Sequence, residues 1–463
     1  IEVVKVADRE ELLSAIIDRA LRRASKLGCS EAEAYAVWTK TVNIDLSNNR
    51  VTRTVSRDIG GLGVRVAVGR KLGSYGTHEL VLDRIDEVVD VSYRIAKAAP
   101  EDRFWRRFSR NYGRSSVEGT YDKSFSSLEP GEIVEFTKGL VEKAIDTAKG
   151  MGAREVSVTR GMVSLREELV MISNSYGDIV SEPLSSLTVY MQIKSVVEKG
   201  ESTYMVFHQL RRYDKEEFLK KTAEAAELST MFAGAKPIPS GEYQLLLTPT
   251  SHAEFTSIAL APAFSALSVQ QGRSPLANKI GDKVLSEHVT ILDDPWMPWS
   301  PGAREFDDEG IATSRKPLIE NGVLRTYVYD TYTALRENRE STGNGLRRSL
   351  SAAPAPAILN LYMKPGDIDI DDMIRDIRKG LMVYATIGYW MSNPVNGNIS
   401  GTVTHGFYIE DGEIKHPVKG VVLSGNIYRI LGPGLEGIGK KVENVGNIFV
   451  PAILARGIRI AGK

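Results

Sequence analysis

Two strand-turn-strand signatures in the C-terminal half decide the fold class: Pro317-Leu-Ile-Glu-Asn-Gly-Val-Leu324 and Gly406-Phe-Tyr-Ile-Glu-Asp-Gly-Glu-Ile-Lys-His-Pro-Val418. In each, an Asn-Gly or Asp-Gly pair supplies the two positive-φ residues of a tight hairpin turn. The flanking segments carry apolar residues that favour pairing as strands. The two hairpins predict an antiparallel, β-rich C-terminal half.

The N-terminal half repeats one order of elements. Apolar residues at helical spacing are followed each time by a glycine, Gly28 or Gly152, which is a natural helix terminator. In chain order the elements read helix, strands, helix: 12–27, 32–68 and 83–98 in the first copy, and 133–151, 155–206 and 214–228 in the second. Gene duplication explains this order economically; the alternative is a chance recurrence of helix-plus-sheet patterns. The predicted class is α+β.

The predicted domain organisation follows from these patterns. It comprises an N-terminal α+β domain, 1–235, with similar units at about 1–100 and 130–232 joined by 100–130, and a large, curved, β-rich C-terminal domain, 236–463. The boundary lies in the turn-rich linker Ala233-Gly-Ala-Lys-Pro-Ile-Pro-Ser-Gly241. Segment 100–130 begins with Phe104-Trp-Arg-Arg-Phe108, which suits either nucleobase stacking or a crossing loop whose rings pack on a neighbouring domain.

Composition narrows the classes of function. The chain has 463 residues, 42% of them hydrophobic, and Lys plus Arg equals Asp plus Glu at 59 each. This balance gives no global field for a polyanion, so nucleic acid is not an expected ligand. Cys29 is the only cysteine, which excludes an intrachain disulfide and suits a reducing cytosol. With no basic-then-apolar leader and no long apolar stretch, we expect a cytoplasmic protein without membrane association.

The surroundings of the hairpins resemble the C-terminal domain of the TldD/PmbA family. The matching segments, in order, are Phe306-Asp-Asp-Glu-Gly-Ile, Ile319-Glu-Asn-Gly-Val-Leu, Ser341-Thr-Gly-Asn-Gly, the Gly406–Val418 hairpin and Leu423-Ser-Gly-Asn426. The resemblance implies a family of two homologous subunits. TldD carries a zinc-binding His-Glu-x-x-x-His helix and a distant cysteine ligand, whereas TldE, also called PmbA, usually lacks them.

This chain lacks the zinc motif where the resemblance would place it. A zinc hydrolase needs about three protein ligands and a carboxylate that accepts a proton from water. The expected helix begins near Thr250 after a strand at 244–247, and it contains one histidine, His252, which we interpret as a polar residue in the first turn. His252 and Glu254 lie two apart, on different helix faces. The family's cysteine would fall near 440–451, where none occurs. We therefore predict no catalytic and no metal-binding residue in this chain.

Other histidines give weak alternatives. His78-Glu79-Leu-Val-Leu-Asp83 has the outline of a metal motif, but Asp83 is better interpreted as a helix cap. His405 and His416 are interpreted as loop or strand-end residues.

Three further patterns bear on functional sites. Gly432-Pro-Gly434-Leu-Glu-Gly437 matches the dinucleotide fingerprint literally, but without a convincing βαβ context it indicates a glycine loop. The acidic clusters could bind a hard cation; Asp293-Asp294 and Asp307-Asp308-Glu309 resemble turn residues, and Asp367, Asp369, Asp371 and Asp372 resemble a helix start. No G-x-S-x-G elbow occurs, which leaves a dispersed serine triad open.

The resemblance implies a TldE/PmbA-like subunit that is inactive alone and works with a TldD-like metalloprotease subunit, which would hold the zinc. The implied substrates are unfolded or linear peptides. We expect two segments near the peptide chamber, with the candidates Ser341, Thr342, Gly343, Asn344, Gly401, Thr402, His405 and Phe407; alternatively, their glycines serve only backbone geometry. The alternative functions are a stand-alone homodimeric peptide-binding or regulatory protein and a self-sufficient enzyme using serine or carboxylate chemistry.

Overall fold

The N-terminal half consists of two similar units, as the sequence predicts. The computed structural model describes residues 6–177 and 179–462. The first unit contains α1 (Val6–Lys26), β1 (Glu31–Ser47), β2 (Arg50–Val68), β3 (Lys71–Thr77) and α2 (Leu82–Ala98). The second contains α3 (Pro130–Gly150), β4 (Glu155–Asn174), β5 (Ile179–Val197), β6 (Gly200–Leu210) and α4 (Lys215–Met231). Both units therefore read helix, three strands, helix.

The six strands of the two units form one antiparallel sheet. Its order is β3-β2-β1-β4-β5-β6, so the first strands of the two units pair with each other at the centre. Helices cover one face: Ala34 packs in a core with Leu13 of α1 and Val89 of α2, and Ile44 packs with Leu140 of α3. Strand residues on that face are buried at every second position, as expected for a half-buried sheet.

The C-terminal half is rich in short strands and contains a closed ring. It comprises β7 (Gly241–Leu247), α5 (Pro249–Phe255), α6 (Ala266–Gln270), β8 (Ile291–Asp293), β9 (Lys316–Glu320), β10 (Val323–Leu324), α7 (Thr331–Arg336), β11 (Gly345–Leu346), β12 (Ala355–Pro356), β13 (Leu361–Met363), α8 (Ile370–Arg375), β14 (Lys379–Ile387), β15 (Asn398–Glu410), β16 (Glu413–Val418), β17 (Val421–Asn426), α9 (Ile427–Ile430), β18 (Leu435–Val445) and β19 (Ile448–Ala461). The ring runs β7-β14-β15-β17-β19 and returns to β7. The predicted α+β class with a curved, β-rich C-terminal half is confirmed.

The ring joins the two halves of the chain through alternating side chains. Leu245 and Leu247 of β7 face a core shared with α5, whereas Leu246 between them packs into the core of the second N-terminal unit. Met382 and Phe407 face the same way as Leu246. The period of two along each strand therefore gives the ring one face toward its own core and one toward the N-terminal half.

Both predicted hairpins are present with the expected turn geometry. Asn321 and Gly322 have φ of 50° and 78°, and Asp411 and Gly412 have the same pair of values. They join β9 to β10 and β15 to β16. Positive φ at both central residues matches the twist of the flanking strands.

Segment 100–130 crosses from the first unit to the second and packs on the C-terminal half. Trp105 and Phe108 are buried, meet edge to face at 4.8 Å, and share a small core with Tyr332. The Tyr332 hydroxyl donates to Asp102 at 2.9 Å. The packing interpretation of these rings is therefore correct for Trp105 and Phe108. The domain boundary at about 235 stays a prediction.

Three local interpretations were wrong. His405 lies inside β15 and His416 inside β16, not at strand ends or in loops. Asp83 does not cap α2, because the helix begins at Leu82 with Val81 as its N-cap and no side-chain cap bond.

No helix among residues 6–177 and 179–462 has the length and apolar character needed to span a bilayer.

Candidate functional site

The helix α5 follows the ring strand β7 directly and begins with Pro249 at its first position, where a missing N–H costs nothing. The Ser251 hydroxyl donates to the Val383 carbonyl at 2.7 Å, and the Thr248 amide donates to the same oxygen at 3.1 Å. These bonds fix the start of α5 against β14. This is the strand-to-helix junction at which the sequence resemblance would place a zinc helix.

His252 is fully buried in α5 and hydrogen-bonded to the backbone of β19. Its Nδ1 lies 2.8 Å from the Pro451 carbonyl oxygen, which can only accept, so Nδ1 carries the proton. Burial lowers the pKa of His252 to about 4, so the ring is neutral at pH 7. Its Nε2 has no hydrogen-bond partner among the described residues. The interpretation of His252 as a first-turn residue holds, but the ring faces the interior.

Glu254 points to a different strand from His252. Its Oε2 accepts from the Thr386 amide at 3.1 Å and from the Thr386 hydroxyl at 2.9 Å, at the end of β14. Burial raises the pKa of Glu254 to about 7, so it is partly protonated near neutral pH. The predicted divergence of these two side chains on the helix is observed.

These residues do not fit a zinc site. Within the described ranges, no group of three or more His, Cys, Asp or Glu side chains is arranged to hold a metal ion. Cys29, the only thiol, lies between α1 and β1 and packs beside the apolar core of the first unit. A tetrahedral site needs donors that converge within about 2.3 Å of one point. In α5, with Nδ1 of His252 bonded to Pro451, only Nε2 keeps a free lone pair, and a single donor does not make a zinc site.

The candidate segment 401–407 lies in β15 between the two halves of the chain. Gly401 faces Thr386, whose Cβ would lie 3.0 Å from an added Cβ, and Thr402 pairs with Ile387 and Val422. The His405 ring packs edge to face on Tyr204 at 4.9 Å, and its Nε2 lies 3.3 Å from the Ser202 hydroxyl.

Phe407 and His405 meet the same aromatic ring. Phe407 is buried and stacks on Phe232 at 4.7 Å, and His405 lies 5.0 Å from Phe232. Burial lowers the pKa of His405 to about 4. These two side chains therefore help to join β15 to the second N-terminal unit.

The candidate segment 341–344 surrounds a buried asparagine. The Asn344 amide donates to Asp293 at 2.7 Å, and its oxygen accepts from Lys316 at 3.0 Å and from Thr342 at 2.8 Å. Asp293 and Lys316 also form an ion pair at 3.2 Å. Every polar atom of Asn344 therefore serves the interior of the C-terminal half.

Ser341 and Gly343, which precede Asn344 in the same segment, differ in their surroundings. Ser341 lines a cleft between segment 100–130 and α7, with Arg110 and Arg339 nearby. Gly343 has φ of 69° and lies against the backbone of Ala312, where an added Cβ would be 2.5 Å from its carbonyl oxygen. The backbone requires glycine here. In the described part of the chain, no hydrogen bond joins segment 341–344 to segment 401–407. Their assignment to a peptide chamber stays a prediction.

A buried ionic network between the two halves escaped the sequence analysis. Glu33 of β1 pairs with Arg65 at 3.1 Å and with Arg347, and Arg304 pairs with Asp308 at 2.8 Å and with Glu182 at 3.7 Å. We call these six residues the joint network. Five of them are buried, the side chain of Arg347 is 2% exposed, and burial raises the pKa of Glu182 to about 7.

The acidic residues beside this network were assigned to turns. Asp307 does close a turn, since it accepts from the Glu309 and Ile311 amides at 2.9 and 3.0 Å. Asp293, Asp307, Asp308 and Glu309 are nevertheless buried, which no local pattern indicates. Their partners lie far along the chain: Asp307 also accepts from the Gly345 amide at 2.7 Å.

Two family models match this chain. The model described as PmbA/TldA metallopeptidase domain 1 matches residues 32–96, and the model of the PmbA/TldA metallopeptidase C-terminal domain matches residues 240–462. A metalloprotease from Methanothermobacter thermautotrophicus is 35% identical over 73% of this chain and 72% of its own length. The chain belongs to the TldD/PmbA family.

Within the TldD/PmbA family, the similarity extends to the TldE side. A metalloprotease PmbA homolog from Buchnera aphidicola is 24% identical over the full length of both chains. The crystal structure of TldE from Thermococcus kodakarensis superposes with a TM-score of 0.85 at 25% identity, covering 96% of this chain and 100% of that one. The chain is therefore a TldE-like member of the TldD/PmbA family, as its motifs indicated.

Proposed function

We propose that this chain is the non-catalytic subunit of a TldD/TldE-type zinc metalloprotease that degrades or processes unfolded or linear peptides. One observation carries the proposal: α5 offers a single histidine, His252, whose Nε2 is the one ring nitrogen left with a free lone pair. Within the described residues, no group of three or more His, Cys, Asp or Glu side chains is arranged to hold a metal ion there. We therefore assign the zinc ion, and with it the cleavage of the peptide bond, to a TldD-like partner subunit.

The role of this chain is then to complete the walls around the partner's active site. This role requires the two halves of the chain to keep a fixed arrangement, and two features support it. The joint network ties the N-terminal sheet to the C-terminal half through buried charges, and the closed ring leaves its member strands paired on both sides. The segments 341–345 and 401–407 belong to this proposal as chamber candidates, and Ser341 is the one whose cleft position supports contact with a peptide.

The test compares this chain alone, a TldD-like partner alone and the two together. Each sample is assayed for zinc by mass spectrometry and for cleavage of a fluorescently labelled unfolded protein. We expect a complex on size-exclusion chromatography, no zinc and no cleavage with this chain alone, and cleavage in the mixture. A partner with its metal-activating glutamate changed to glutamine serves as the matched inactive control.

The other outcomes select the alternatives. Stoichiometric zinc or cleavage with this chain alone would refute the proposal and indicate a self-sufficient enzyme. A homodimer that binds peptide, forms no complex with a TldD-like protein and leaves cleavage unchanged would indicate the stand-alone peptide-binding function.

A further inference from the structure

The face of the six-stranded sheet opposite the helices is open to solvent at one end. Along β4, β5 and β6 the buried residues alternate with exposed or half-buried ones. Helices cover the side on which Val163 and Val189 lie, whereas Met162 is 37% exposed and Phe207 is 38% exposed on the other side. A solvent-facing side of an antiparallel sheet is usually polar. The presence of large apolar side chains on this face therefore needs an explanation.

The apolar residues form a row across the sheet. Strand register places Met162 opposite Tyr190, and Tyr190 opposite Phe207. Because neighbouring strands lie about 4.8 Å apart, the row is about 10 Å long and presents one continuous apolar strip. The Tyr190 hydroxyl accepts from the Gln192 amide at 2.7 Å on the same face, which fixes the orientation of the ring.

Unpaired arginines flank this row. Register places Arg53 of β2 opposite Asp45 of β1, and Asp45 opposite Met162, so Arg53 shares the open face with the apolar row. Arg57 lies four residues along β2, and Arg160 lies two residues before Met162, both with the same orientation. All three arginines are exposed. Within the described ranges none of them forms an ion pair, and neither does Asp45.

We propose that this open face binds an extended peptide that carries acidic side chains beside apolar ones. The proposal deepens the proposed function, on which it rests, by naming the substrate class. Carboxylates would meet Arg53, Arg57 and Arg160, and an apolar side chain would lie on the row of Met162, Tyr190 and Phe207. From β2 to β6 the face is about 19 Å wide, which about six extended residues span.

Side chains supply the affinity in this arrangement. Around the apolar row, β1, β4 and β5 are each paired on both sides, so their backbone groups there are not available for adding a strand. Charge complementarity and apolar contact remain. The chain as a whole has equal numbers of basic and acidic residues, so attraction of an acidic peptide has to come from a local group of positive charges such as these three arginines.

The experiment measures peptide binding by the isolated full chain. A fluorescein-labelled peptide of alternating Glu and Leu is titrated at low and high NaCl, and fluorescence anisotropy gives the Kd. Peptides of alternating Lys and Leu, and of alternating Glu and Ser, are compared. The test variant is Arg53→Gln/Arg57→Gln/Arg160→Gln. The matched control is Arg22→Gln/Lys26→Gln/Arg94→Gln, which removes three exposed positive charges from α1 and α2.

We expect the Glu/Leu peptide to bind and the Lys/Leu peptide not to bind. The test variant should raise the Kd for Glu/Leu by about 5- to 100-fold, as three exposed ion pairs predict, and the control by less than about 2-fold. Phe207→Ser should weaken binding of the Glu/Leu peptide but not of the Glu/Ser peptide. The variants change exposed side chains only, and unchanged thermal unfolding would verify their folding.

Equal losses of affinity for the Glu/Leu peptide in the test and control variants would overturn the proposal, because they would indicate a general charge effect. Tighter binding of a single-stranded oligonucleotide of the same length would also overturn it, in favour of nucleic acid. The result is separable from the proposed function: complex formation and cleavage with a TldD-like partner do not require an acidic peptide, and peptide binding by the isolated chain does not require the partner.

Discussion

The buried carboxylate of Glu33 is the point at which the first N-terminal strand is tied to the C-terminal half, and its replacement by glutamine tests the joint network. Glu33 is 1% exposed and contacts Arg65 of the same sheet and Arg347, whose side chain is 2% exposed. Glu33→Gln keeps the shape and one acceptor oxygen but removes the negative charge. Two buried guanidinium groups then face a neutral amide.

The expected cost follows from this burial. Removing one member of a buried ion pair costs about 3–5 kcal/mol, because the remaining charge stays desolvated. Glutamine keeps a hydrogen-bond acceptor, so we expect the lower end, about 3 kcal/mol. A chain of 463 residues has an unfolding entropy of about 1 kcal/mol per kelvin near 60 °C. Cooperative unfolding of the whole chain then predicts a decrease in Tm of about 3 °C.

The assay is thermal unfolding followed by tryptophan fluorescence at pH 7.5. Glu87→Gln is the matched control, because it removes the same group from an ion pair with Arg84 in which both side chains are about half exposed. An exposed pair contributes about 0–1 kcal/mol, so this Tm should change by less than about 1 °C. The double variant Glu33→Gln/Arg347→Met should cost less than the sum of its single changes. Equal shifts for Glu33→Gln and Glu87→Gln would refute the buried joint.

Three further predictions concern single positions, two of them buried. Burial lowers the folded-state pKa of His252 to about 4. Below the ordinary pKa of histidine, the unfolded chain therefore binds more protons than the folded chain. The free energy of unfolding should decrease as pH falls from about 6.5, by about 2 kcal/mol at pH 5 from this residue. His252→Gln should show a smaller difference in urea midpoint between pH 7.5 and pH 5 than the parent chain, and an equal difference would contradict the assignment. Gly63→Ala should cost at least about 1–3 kcal/mol, because its Cβ would lie 1.8 Å from the Leu350 carbonyl oxygen. Gly139→Ala in α3, where the added Cβ meets nothing within 4 Å, should instead stabilise by about 0.5–1 kcal/mol in the same urea titration.

The sequence predicted what local chemistry determines. The hairpin turns depend on Asn-Gly and Asp-Gly pairs alone, and the helix α3 depends on apolar spacing, so both could be placed without tertiary information. β15 was harder, because Ser400-Gly-Thr-Val-Thr404 is largely polar and hides the strand that continues through His405. It is a strand because β14 and β17 pair with it on either side.

The joint network was beyond sequence reasoning for a different reason. Asp307 and Asp308 stand beside Gly310, where acidic residues commonly close turns. Buried Asp308 accepts hydrogen bonds from Arg304 and Arg347, and Arg347 reaches Glu33 at a separation of 314 residues. A single sequence contains no signal for contacts at such distances.

His252 of α5 is buried, whereas the three arginines on the open face of the N-terminal sheet are exposed. On α5, where a hydrolase would keep an open coordination position, His252 and Glu254 are instead bonded to β19 and β14 and are held away from water. Chemistry at a metal needs the reverse, an accessible donor set that substrate can approach. The unpaired charges of Arg53, Arg57 and Arg160 lie on the N-terminal sheet, in solvent, where a ligand can reach them. This distribution is the one that the proposed function requires, with peptide recognition on this chain and hydrolysis on a TldD-like partner.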